Sequence, residues 1–170
     1  MKQSFHFILI TILLVCGTGV FDACGSSQND EEVSQQLDYE KIAELLEEFY
    51  KKGLSQEKTD ELVDELKKGN DKLSTNLKQM IAAEKGGFVE EFVRQRGSHI
   101  EYEDGKVTVE IECEPGQSEA VVEKVKDYGV VELVISIGVQ AVVPISNLEV
   151  IACIPGVNLV RLPIYAESEE

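Results

Sequence analysis

Tryptophan is absent, aromatic residues make up 6% of the chain, and 170 residues include only four prolines, four cysteines and two histidines. There is no CxxC pair, so the clustered nitrogen and sulfur donors of a transition-metal site are lacking. His6 falls in an apolar N-terminal run. His99 is thus the one histidine of the body, and no serine or cysteine forms a recognisable nucleophile–base pair with it. Neither Gly86-Gly87 nor Gly138 has the surroundings of a phosphate cradle, and Asn70-Asp71 and Glu101 to Asp104 lack the ligand spacing of a calcium loop. No catalytic residue, metal ligand or cofactor motif emerges, and the reading is of a protein that is not an enzyme. Basic residues are scarce too. Sixteen Lys and Arg against 32 Asp and Glu give a net charge of −16 and a pI near 4.5, which argues against nucleic acid and anionic lipid as partners.

Apolar residues are plentiful at 43%, and they fall in periodic runs. The first of these is an address. Lys2 provides a basic start and Phe5 to Val15 is nearly continuous hydrocarbon, the layout of a secretory signal over residues 1–23. The stretch from Phe5 to Phe21 would span about 25 Å as a helix, so an uncleaved anchor is the lesser alternative. Phe21-Asp22-Ala23-Cys24-Gly25-Ser26-Ser27 is similar to a bacterial lipoprotein cleavage box, although Phe21 and Asp22 depart from it. The resemblance makes Cys24 the candidate lipidated terminus of an exported, membrane-anchored envelope protein; ordinary cleavage and secretion is the alternative. Removing residues 1–23 takes away Lys2 and Asp22, so the exported body keeps its charge of −16. Cys113 and Cys153 are then the only body cysteines, either a candidate disulfide or two buried thiols.

A polar tether occupies 24–36, and a helical segment follows over 37–97. Ile42, Leu45, Leu46 and Phe49 recur at helical spacing before Gly53. A second helix starts at Ser55 with Leu62, Val63 and Leu66 inward and ends at Gly69. Two shorter ones carry Leu77, Met80 and Ile81, then Phe88, Val89, Phe92 and Val93. From 98 to 165 the period changes. Lys106 to Cys113 alternates as a half-buried strand and turns at Pro115-Gly116. Ser118 caps a helix with Val121, Val122 and Val125 inward, and two strands, 130–137 and 139–143, join around Gly138. Ser146 to Glu149 form a capping box for a last helix, and 157–162 is the last strand before an acidic tail over 166–170. This α+β order predicts a ferredoxin-like βαββαβ unit, a four-stranded antiparallel sheet with both helices on one face, preceded by the small helical segment.

Gly105 to Ile111, Val139 to Ile145, Leu148 to Ala152 and Ile154 to Val157 together resemble the propeptide-like N-terminal domain of exported prokaryotic subtilisin-type serine proteases and related surface proteins. The likeness reaches weakly back to Leu73-Ser74-Thr75-Asn76. It implies a domain that templates or inhibits a protease, but no protease segment is present, and the matched positions are mostly strand, cap and turn residues. The sheet face away from the helices should carry Val134, Gln140, Val142 and Val160 or Leu159, with Thr108 and Glu110 among them. These make up the candidate partner-binding surface, with a subtilisin-type protease or another exocytoplasmic protein as partner. The alternative is a structural envelope protein whose own N-terminal helices seal that face. Pro163 to Glu167 could extend into a partner as an added strand.

Overall fold

Helix α1, Tyr39–Lys52, begins where the Asp38 carboxylate accepts the Lys41 N–H at 3.0 Å, and it ends at Gly53. The computed structural model describes residues 37–97 and 100–164; the signal, Cys24, the tether, His99 and the tail lie outside the described residues. Ile42, Leu45 and Leu46 are buried as their spacing predicts, joined by Tyr39 and Ala43, while Phe49 stays half exposed, edge-on to Tyr50. In α2, Gln56–Lys67, Ser55 is the N-cap, and Leu62 and Leu66 point inward. Val63 does not. The buried face of α2 runs 62, 65, 66, one side of a 3.6-residue helix, so Glu65 takes the inner position expected for Val63. Helices α3, Thr75–Lys85, and α4, Val89–Arg96, follow, with Phe92 as the anchor of α4.

The second half forms strands β1 (Tyr102–Glu103), β2 (Lys106–Cys113), β3 (Val130–Ile135), β4 (Gly138–Pro144) and β5 (Val157–Arg161), with helices α5 (Ser118–Val125) and α6 (Leu148–Ala152). Every named strand pairing is antiparallel. β2 is central: β4 runs along one edge, β5 and the short β1 share the other, and β3 lies outside β4. Val107, Val109 and Ile111 register with Val143, Ala141 and Val139, and all six are fully buried. Helix α5 packs on β3 and β4, and α6 on β5.

The helical segment joins the sheet through main chain and core. Leu73 makes a parallel bridge to Val160, whose N–H and C=O are taken by Lys72 O (2.7 Å) and Ser74 N (3.0 Å). The Tyr39 hydroxyl donates to Glu149 Oε1 at 2.9 Å, and Leu46, Leu77 and Met80 belong to the same core as Val109, Ile111 and Leu148.

Three local expectations change. Ser118 is the first helical residue rather than the cap, and its hydroxyl donates to Ser136 O, tying α5 to the β3–β4 turn. That turn is Ser136-Ile137. Gly138 belongs to β4, where a Cβ would lie 2.7 Å from the Ile111 carbonyl oxygen. The capping box is not made: a 3-10 turn, Ile145–Asn147, leads into α6, Asn147 Nδ2 donates to Tyr128 O, and Glu149 is engaged by Tyr39. Strand β1, absent from the expected order, arises from Asp104-Gly105, whose φ values of 50° and 75° suit a two-residue hairpin turn.

Candidate partner-binding face

Alternation along β2 sends Thr108, Glu110 and Glu112 to the side opposite the helices, and register adds Val142 and Gln140 of β4 and Leu159 and Arg161 of β5. Apart from buried Thr108 these side chains are part-exposed, whereas their neighbours on the helix side are fully buried. The described helices therefore leave this face open. Arg161 ties its polar half together, reaching Glu110 at 3.2 Å and Glu112 at 3.0 Å. Gln140 Nε2 donates to Glu132 Oε2 at 3.3 Å.

Two β-bulges set which apolar residues join the face. In β3 the register steps between Val131 and Leu133, so Leu133 stands opposite Gln140 and Val134 opposite Val139. Leu133 and Ile135 thereby enter the open face. Val134 goes to the helix side, at an exposed edge, not to the face expected for it. In β5 the register steps opposite Glu112/Cys113, which turns both Val157 and Val160 inward. Val160 is fully buried against Ile111, so Leu159, not Val160, lies on the open face. Gln140 and Val142 are where the alternation put them. No sequence signal marks a bulge, and each one reverses the parity of every residue after it.

Next to Val142 and Thr108 the β1–β2 hairpin encloses an open concavity of about 600 Å³, rimmed by Glu101, Glu103, Asp104 and Glu132, with Lys106 as its one cation. The Asp-Gly turn signal was the feature that could have located it.

Cys113 is an unbridged thiol facing the helices, pushed up from the ordinary thiol range by burial. Cys153, just past α6, takes a hydrogen bond from Asn70 Nδ2 at 3.6 Å, so the candidate bridge between the two is not formed. The buried ionisable groups serve the fold. Lys78 Nζ on α3 donates to Leu66 O (3.1 Å) and Lys68 O (2.9 Å), capping the free carbonyls of α2. Burial lowers its pKa, opposed by the charge of Asp71. The Glu65 carboxyl is held below the usual range, first by its hydrogen bond from Lys68 at 2.8 Å, then by the Asp38 N–H and the charge of Lys41. Among the described residues no group of His, Cys, Asp and Glu is arranged to hold a metal ion, and no helix is long and apolar enough to cross a membrane. Searches against family models, curated proteins and solved structures found no match to the chain.

Proposed function

We propose that this is an exported, membrane-tethered, non-enzymatic protein whose sheet face docks another exocytoplasmic protein, with a subtilisin-type protease as the favoured partner. The unit β2–α5–β3–β4–α6–β5 is read as a ferredoxin-like, propeptide-like domain. Support comes from the antiparallel pairing, with β4 and β5 flanking β2 and β3 outside β4. Export and lipidation at Cys24 rest on the N-terminal sequence.

The single observation that carries the binding reading is the open face itself. It sets Leu133, Ile135, Val142 and Leu159 beside Gln140, Glu110 and Arg161, a mixture of apolar and polar groups typical of a surface that is covered part of the time. The structural alternative required helices over this face, and the described helices lie elsewhere.

The test is inhibition of a subtilisin-type protease by the full chain, compared with Val142→Asp and Leu133→Asp. Both side chains are at least part-exposed, so the variants should fold. Each should weaken the inhibition constant by about tenfold or more, since a buried, unpaired carboxylate at an interface costs upward of 1.4 kcal/mol. Absence of inhibition, or inhibition equal in native and variant proteins, would remove this reading.

A further inference from the structure

Five of the nine large apolar side chains exposed among the described residues fall between positions 130 and 137: Val130, Leu133, Val134, Ile135 and Ile137. The first four belong to β3, which pairs with β4 on one side only, so among the described residues its outer edge offers unpaired main-chain N–H and C=O groups. Strands that must stay at an edge are usually guarded by lysine or proline. β3 has neither; its guards are one bulge and one charge, Glu132. That same Glu132 stands on the rim of the acidic concavity, with Glu101, Glu103 and Asp104, while Val142 on its wall is the register partner of Val130. An apolar edge and a cavity bearing four carboxylates against one ammonium are therefore continuous.

The geometry points to β3 as the acceptor of an extended segment from a partner protein in which apolar and cationic residues alternate. The segment's main chain adds a strand to the free edge; its apolar side chains lie beside Val134 on the helix-side face, and its alternate lysines or arginines, on the open face, reach the carboxylates of the concavity. This names the chemistry of the partner in the binding function proposed above and rests on that reading. A second copy of this chain is the wrong occupant: both bodies carry −16, and edge pairing would bring two acidic concavities together.

The experiment is a fluorescence-anisotropy titration of the full chain with dye-labelled octapeptides at moderate salt. One peptide alternates valine and lysine, a second alternates valine and glutamate, and a third repeats the first with its four central amides N-methylated. The valine–lysine peptide should bind saturably, the other two at least about tenfold more weakly. Glu132→Lys, a change on an exposed side chain, should weaken the valine–lysine peptide and not the valine–glutamate one. Equal binding of the N-methylated peptide overturns strand addition, and equal binding of the glutamate peptide overturns cationic selection. Concentration-dependent dimers of the chain alone, dissociated by Glu132→Lys, would assign the edge to a second copy and overturn the inference. Peptide binding without affinity for a subtilisin-type protease leaves the edge site standing and removes that protease as partner; protease inhibition without peptide binding does the reverse.

Discussion

Two buried residues give the molecule opposing alkaline behaviour. Lys78 has its pKa lowered by burial, so between that lowered value and 10.5 the unfolded chain holds the proton more tightly than the folded one. Its contribution to stability therefore rises with pH across this window. Tyr39 has the opposite sign: burial first, then the charge and hydrogen bond of Glu149, raise its pKa far above the ordinary 10.0. Its contribution is fully present below pH 10 and is lost above it, where only the unfolded chain ionises. Lys78→Met strips the hydrogen bonds from the Leu66 and Lys68 carbonyls and should cost about 1–3 kcal/mol near neutral pH, measured by urea unfolding. Tyr39→Phe should cost about 0.5–1.5 kcal/mol and flatten the alkaline loss of stability. A steeper alkaline loss in that variant would contradict the assignment.

At the scale of elements, close approach decides what each segment tolerates. Gly129 precedes β3, and a Cβ there would lie 2.6 Å from Val142 O, main chain that cannot swing aside. Gly129→Ala should lower stability by about 1–3 kcal/mol and loosen the β3–β4 pair, read as faster amide exchange in 130–142. A neutral outcome would mean that the strands part easily there. Helical spacing, caps and turn glycines made α1 to α4 and the α+β class with its antiparallel sheet legible, because those signals act within a few residues. Val63 and Val134 went to other faces than expected, and the choice between Val160 and Leu159 stayed open, because burial phase depends on packing partners and bulges far away in sequence. The capping box at Ser146 failed for a related reason: Glu149 is taken by Tyr39, 110 positions away. Of the candidate face, Gln140 and Val142 were readable from alternation. Leu133, Ile135 and the concavity were not, since a bulge and a hairpin place them.

Across the whole molecule, apolar burial and charge are sharply divided. One continuous core runs from the helical segment into the helix side of the sheet, whereas among the described residues the charged side chains lie outside it, apart from Glu65 and Lys78, each held by named partners. Such a surface repels copies of itself, and the proposed docking therefore calls for a partner of opposite charge on the open sheet face. The most direct measurement is amide hydrogen exchange of the full chain with and without an active-site-blocked subtilisin-type protease. Added protection should concentrate in 106–112, 130–135 and 138–144, leaving α1 to α4 at their unbound rates. Protection confined to the helical segment, or none at saturating protease, would contradict the assignment of the sheet face as the binding surface.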